Sequence, residues 1–369
     1  MQSALKKLIY KILKYLNVII IGALLLSYLS VYISPEKIWI LAFFGLSYPF
    51  LLILNFLFLV FWIFKRKVFF IFSFIAILVG WNYLSSYIQI PLRKKDPKEL
   101  TNNQELNLLS FNVRLFDLYQ WNQNKNTTDA IFSYMNTGDF DVICLQEFFS
   151  RNTGELSESD INQKLTGDYY AHIDYSTKNK NYNYGVATFS KHPIVNRGII
   201  KFSNSSNISI YTDILFNDDT LRIFNNHLQS IRFNEKNYSF ITNSKTLKDE
   251  EKFKEIKDIS TRLRDAFIKR ASQAETLSNH IKHSPHPVIL CGDFNDVPVS
   301  YTYKTLIKNL KDSFIEAGAG IGNTYIGKFP SFRIDFIFYS NELECLSFDI
   351  HKVKLSDHYP LTGKFSLKK

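Results

Sequence analysis

Several short apolar runs in the C-terminal part of the chain end in side chains that can carry chemistry. Asn112 closes LLSFN, Glu147 closes VICLQE and His227 closes RIFNNH. Asp293 and Asn295 follow VILCG, Asp335 interrupts RIDFIF, and Asp357 and His358 stand together in SDHYP. Taken singly, a strand-terminal Asn or Asp is a turn residue, and a lone His is a surface or satisfied core group. Taken together, they form a set of carboxylates, amides and imidazoles that strand ends can bring to one rim. The set is rich in oxygen and has no His/Cys cluster of zinc spacing. Such donors suit Mg2+, with Mn2+ as a substitute, because hard cations favour a few protein oxygens and several waters. A cation of this kind polarises a phosphoryl oxygen and stabilises a leaving group. A His held by a carboxylate serves as acid, base or donor to phosphate. The chemistry that fits is hydrolysis of a phosphoester.

The runs that must position these groups read as strands over 105–113, 140–147, 184–190, 208–216, 221–228, 286–294 and 332–339. Several are apolar on both faces, as inner strands of a covered sheet are. A helix is expected over 258–282, and the charged stretch 229–256 reads as a surface excursion. Strands mixed with helices predict a layered α/β domain over 105–369. Cys144 and Cys291 sit in apolar runs as small buried hydrophobes, and three cysteines supply no disulfide framework.

The first 92 residues are of another kind. The runs 16–33 and 38–64 contain no charge, and 68–90 is a third uncharged run with a more polar end. Each is long enough for a helix to cross a bilayer, with Pro49 a kink inside the second. Three transmembrane helices are therefore expected, followed by a polar linker over 93–104. Lys6, Lys7, Lys11 and Lys14 precede the first run, and Lys65, Arg66 and Lys67 fill the second loop. This bias places the N-terminus in the cytoplasm and the C-terminal domain outside it, as a multi-pass protein. Arg93, Lys94, Lys95 and Lys98 run against that bias. The net charge is +10. Nearly all of it lies before residue 101, so the C-terminal domain is close to neutral. The basic balance thus points to the membrane segment and gives no sign of a nucleic-acid surface.

Residues of about 105 to 367 resemble the endonuclease/exonuclease/phosphatase superfamily, which includes deoxyribonuclease I, abasic-site endonucleases, neutral sphingomyelinases and inositol polyphosphate 5-phosphatases. The blocks LLSFNVR, CLQE, YGVATFSKHPI, NNHLQS, CGDFNDVP, FRIDFIF and SDHYP carry the resemblance, in the family's order. It implies a four-layer α/β sandwich with two central mixed β-sheets. It also implies roles. Asn112, Glu147 and Asp357 resemble metal-site residues, and His227 the His that contacts the scissile phosphate. Asp293 resembles the residue that aligns or deprotonates the attacking water, and Asn295 a donor to the phosphate. Asp335 resembles the carboxylate that orients His358, the catalytic His. The implied reaction is in-line attack of water without a covalent enzyme intermediate.

The fold does not choose a substrate. Lipid-linked phosphoesters, small phosphodiesters and nucleic acids all remain, and the position beside a bilayer favours the first two. A non-catalytic binding module is the reading from another class. Arg270 and Gln273 either face the site from the long helix or lie on its solvated side, and Arg333 is left without a role. No protein partner is inferable.

Overall fold

A computed structural model describes residues 2–90, 105–124, 126–243, 249–327 and 331–368. The expected linker 93–104 lies outside the described residues. The chain opens with helices α1 (Gln2–Ser30), α2 (Pro35–Ile38), α3 (Ile40–Leu46), α4 (Tyr48–Phe64), α5 (Phe70–Val79) and α6 (Trp81–Leu84), then the two-residue strand β1 (Ile88–Gln89). The expected three spans are not met. Ala4–Ser30 is long and apolar enough to cross a membrane. The second run breaks at Ser47, and α3 and α4 are bent by 63°, so they count as a span only as a bent pair. The third run yields a helix of 10 residues, roughly 15 Å long and about half the thickness of a bilayer core. Gly80 and the turns around it end that helix early. Buried polar contacts join these helices: Asn17 donates to Ser73 Oγ at 2.9 Å and accepts from Trp62 Nε1 at 2.9 Å.

The remainder folds as two six-stranded sheets. The strands follow as β2 (Leu106–Asn112), β3 (Val142–Arg151), β4 (Tyr170–Lys178), β5 (Tyr182–Ser190), β6 (Ile194–Lys201), β7 (Ile208–Phe216), β8 (Asp219–His227) and β9 (Val288–Asp293). Next come β10 (Lys311–Asp312), β11 (Gly320–Ile321), β12 (Asp335–Tyr339), β13 (Leu343–Ile350) and β14 (Leu361–Leu367). One sheet has the order β13-β14-β2-β3-β5-β4, the other β10-β12-β9-β8-β7-β6. Each has one parallel pair at its centre, β2/β3 and β8/β9, between antiparallel neighbours.

Side-chain alternation builds the layers. Leu106 and Leu108 with Val142 and Cys144 meet Ile223, Ile289, Cys291 and Ile337 of the facing sheet in one buried core. Leu109, Phe111, Ile143 and Leu145 point the other way, toward α7 (Thr127–Thr137) and α8 (Glu158–Lys164). Leu290 and Phe338 face α10 (Asp249–Lys282) and α11 (Tyr301–Leu306), with α9 (Glu235–Asn243) alongside. The expected sandwich of two mixed sheets between helices is therefore present. The stretch 229–256 holds α9 and the first turns of α10; many of its described residues are exposed, as a surface excursion predicts, and several line a cavity at the site.

The helical segment is built onto the sandwich. β1 pairs with β11. A Cβ on Gly45 would lie 2.3 Å from the Val299 carbonyl and 2.6 Å from Ser30 Oγ, so α3 approaches this closely because residue 45 has no side chain. Phe43 packs edge-on against Phe267 of α10 at 5.3 Å. Arg333, fully buried, pairs with Asp312 and donates to the Ser86 carbonyl at 3.0 Å. Removing one partner of a buried pair strands the other's charge. Arg333→Met should lower unfolding free energy by about 3–5 kcal/mol, read by thermal unfolding. The double variant with Asp312→Asn should recover part of that loss.

Candidate active site

Strand register assembles the site. In the second sheet Asp335 pairs with Asp293, and His227 pairs with Asp293 on its other side. The three side chains form a row across the ends of β12, β9 and β8. Asp293 continues the inward alternation of Ile289 and Cys291, so it emerges at the rim of the core between the sheets. Gly292 makes this possible: its φ is 133°, and a Cβ there would strike the Asn226 carbonyl at 2.0 Å.

From the first sheet, Asn112 continues the inward alternation of Leu106 and Leu108. Gln146, its partner in register, also points inward. Simple alternation would turn Glu147 outward. Instead β3 slips register against β5 between Leu145 and Phe148, and Glu147 takes a left-handed φ of 48°. This bulge re-aims the carboxylate. Its Oε1 then lies 3.8 Å from His227 Nε2. Left-handed backbone at a residue that is not glycine is strained, and such strain gathers at functional sites; Asn295 has it too, at φ 53°.

Asp293 is the hub. Its carboxylate accepts from Asn112 Nδ2 at 3.0 Å, Asn295 Nδ2 at 3.2 Å and Asn295 N–H at 2.8 Å. The Nε2 atoms of His227 and His358 each lie 3.8 Å from its Oδ2. Burial, reinforced by the Asp335 charge, outweighs both imidazoles and pushes the Asp293 carboxyl up to about 6. Burial also holds His227 neutral-leaning, below the usual imidazole range. Its Nε2 is buried and has no hydrogen-bond partner among the described residues. His358 behaves oppositely. Burial alone would lower it, but the Asp335 and Asp293 carboxylates override burial and raise it well above the usual range. Asp335 grips His358 Nδ1 at 2.9 and 3.1 Å. Asp335 is in turn fixed by its backbone N–H on Thr324 Oγ1 at 3.1 Å.

All eight residues singled out from the sequence meet at this rim. Asp357 lies 3.3 Å from Arg114 Nε, and Arg114 stacks on Trp121. Burial and then the Asp357 charge raise the Glu147 carboxyl. Asn295 is more committed than expected: its Nδ2 also donates to the Leu228 carbonyl at 3.1 Å, so a phosphate contact must displace one of two bonds. Two residues at the rim escaped the sequence reading. Arg114 lies inside the LLSFNVR block, whereas Tyr325, edge-on to His358 at 5.2 Å, carried no local signal. Arg270 and Gln273 are both buried, not on a solvated face. Arg270 donates to Asp296 and the Gln229 carbonyl, and Gln273 accepts from Gln229 N–H, which ties α10 to the loop after His227.

Carboxylates, amides and paired imidazoles at the C-terminal rim of a two-sheet sandwich define a class of hydrolytic site. Residues 109–358 match the model of the Endonuclease/Exonuclease/phosphatase family, and the chain belongs to that family. It is accordingly an enzyme that hydrolyses phosphoester bonds. Residues 10–87 match a second model, described as a domain of unknown function. Solved structures share the fold. An endonuclease/exonuclease/phosphatase from Bacteroides vulgatus aligns at TM-score 0.53 and 17% identity, over 72% of this chain and 100% of that one. A family protein from Bacteroides thetaiotaomicron aligns at 0.51 and 18%, over 73% and 100%. One from Beutenbergia cavernae aligns at 0.52 and 14%, over 72% of each. No curated protein matches the chain.

Asp293, Asp335 and His358 form a group compact enough to hold a metal ion, with one ligand atom from each within 4.8 Å of the others. Within it, Asp335 and His358 Nδ1 are already spent on each other. Asp335→Asn should remove the charge that keeps His358 protonated. The His358 pKa, followed by histidine NMR in metal-free protein, should fall, so the imidazolium is lost at lower pH than in the wild type. An unchanged pKa would refute the assigned cause.

Proposed function

We propose that the chain is a membrane-tethered, Mg2+-dependent phosphoester hydrolase that uses in-line attack by water. The observation that carries this reading is the row Asp335–Asp293–His227, faced by Glu147 and Asn112 from the other sheet. The donor set fits a hard divalent cation. Glu147 and Asp357 oppose one another's charge, and Glu147 is held above its usual range by burial, a penalty a cation relieves. Glu147, Asn112 and Asp357 would hold it, and Mn2+ would substitute for Mg2+. Bound there, it would neutralise charge on the phosphoryl group and leaving oxygen.

The chain's own groups do the rest. Asp293, poised near neutrality, orients the water and takes its proton. The water oxygen bonds to phosphorus as the bond to the leaving oxygen breaks, and that oxygen departs as an anion that takes up a proton from solvent. His227 directs its unpartnered Nε2 at the phosphoryl oxygens, and Asn295 adds a donor when it releases Leu228 or Asp293. His358, held protonated by Asp335, meets the developing negative charge. α1 supplies the tether. The positive-inside bias of the lysines before its apolar stretch favours a cytoplasmic N-terminus, with the catalytic domain on the other side. A C-terminal reporter active only in the cytoplasm would reverse that orientation.

Full-length protein in detergent should hydrolyse bis-nitrophenyl phosphate with Mg2+ and lose turnover with chelator. Asp293→Ala or His358→Ala should cost at least about a hundredfold in kcat, as loss of acid–base partners does, with the fold retained by circular dichroism. The wild-type rate should fall as pH drops through about 6, because Asp293 then takes up a proton and no longer accepts one. Turnover without metal would sink the mechanism. Running sphingomyelin vesicles, supercoiled DNA and single-stranded nucleic acid in parallel ranks the substrates, and preference for either nucleic acid would favour a nuclease.

A further inference from the structure

The catalytic rim opens into a cavity of about 480 Å³ whose two ends differ in chemistry. One end is the row of Asp293, Asn295, His358 and Glu147. The rest of its wall is largely apolar, with Ile231, Phe233 and Phe240 from the stretch after His227 beside two further sources. Helix α10 contributes Ile256, Ile259, Leu263 and Phe267, spaced three and four apart and therefore on one face. The same face begins at Arg270, buried beside the site, and runs outward to Ile256 at 52% exposure. The helical segment contributes Leu46, the last residue of α3 before its elbow with α4.

That elbow stands at the end of the membrane-length helix. Ser30, the last residue of α1, lies against Gly45, one residue before Leu46. The apolar wall therefore sits where hydrocarbon would give way to the catalytic domain. The contact is continuous: Phe43 of α3 packs on the lining residue Phe267, and Phe50 of α4, half exposed, packs edge-on against Phe332, which also lines the cavity. A smaller cleft of about 180 Å³ adjoins the cavity at Glu147 and Arg232, with mixed walls that include Ser176, Asn207, Val186 and Ile208. A phosphoester whose phosphate sits at the rim would thus meet the apolar wall of the larger cavity, with the smaller mixed cleft adjoining.

The geometry points to a tail site: the apolar part of the cavity holds the hydrocarbon chain of an amphipathic phosphoester, presented at the elbow of α3 and α4, with its phosphate at the catalytic rim. A sugar phosphate has no group that gains from burying this wall, whereas each methylene moved from water into it does. This inference deepens the hydrolase reading and rests on it.

The test uses the full chain in amphipol and a series of nitrophenyl alkyl phosphates with ethyl, hexyl and dodecyl chains, assayed with Mg2+. Each methylene that enters the cavity should raise kcat/KM by up to about fourfold, so the hexyl ester should exceed the ethyl ester by at least about tenfold. Ile256→Glu, at a half-exposed position that tolerates charge without unfolding, should flatten the series, and Ile256→Leu should restore it. A flat series in the wild type, with the ethyl ester still cleaved, overturns the tail site and leaves the hydrolase reading intact. Cleavage of none of the esters overturns the hydrolase reading instead. Calorimetry with dodecyl phosphate against ethyl phosphate then decides the cavity alone: tighter binding of the dodecyl form, lost in Ile256→Glu, supports it, and equal binding refutes it.

Discussion

The site exists only if the two sheets are held in one alignment, and buried hydrogen bonds between them set it. Gln146 Nε2 donates to Asn225 Oδ1 at 2.7 Å, and Asn112 Nδ2 donates to Asp293 at 3.0 Å. Apolar faces alone tolerate sliding, because hydrophobic burial has no direction. A buried amide left unpaired costs about 1–3 kcal/mol, so these contacts penalise any slip. Asn225 deepens the constraint by also donating to the Ala187 carbonyl at 2.8 Å. Each of these polar residues sits one or two positions from a group that does chemistry. Core alignment and site geometry are therefore one problem with one solution.

Around this alignment the site stores strain and charge. Glu147 and Asn295 hold left-handed backbone, and Gly292 supplies a conformation that a side chain would forbid. Burial raises Asp293 to about 6 and depresses His227, whereas the Asp335 and Asp293 carboxylates overcome burial and raise His358. Pairs of groups pushed apart in this way mark division of labour between a proton acceptor and a cation. The surrounding core makes such an arrangement affordable, with the sheets closed on both outer sides by helices.

The N-terminal helices are tied into the catalytic domain rather than strung beside it. Arg333 reaches the Ser86 carbonyl from the segment that leads into β12, two residues before Asp335. β1 extends β11, and α3 lies on α10. A change in the position of the helices would therefore be felt in the strand that holds the catalytic His in place, and in the wall of the cavity itself.

Much of the site was legible along the chain because each functional side chain ends a short apolar run, and strand ends share a rim whenever the runs share a sheet. LQE, GDFND and SDHYP are local patterns, and local patterns survive in one dimension. Strands β4, β6, β13 and β14 were not legible. Their mixed burial, as in Ile194–Lys201 with several exposed positions, leaves no continuous apolar run. The span count failed for a related reason: hydropathy reports that a run is apolar, but Ser47 and Gly80 break the helices, and no average over a window shows a break. The stretch after His227 reaches the cavity wall through Ile231, Phe233 and Phe240, apolar residues scattered among polar ones with no period along the chain to announce them. The sequence by itself determined the family, the oxygen-rich donor set and the apolar character of the N-terminal segment, since these depend on residue type and order. Tertiary structure alone decided that Glu147 turns inward on a bulge, that Arg333 ties the N-terminal helices to the strand carrying Asp335, and that Leu46 joins α10 in the wall of the cavity beside the site. Those contacts join residues far apart in the chain, and only the packing of sheets and helices brings them within reach.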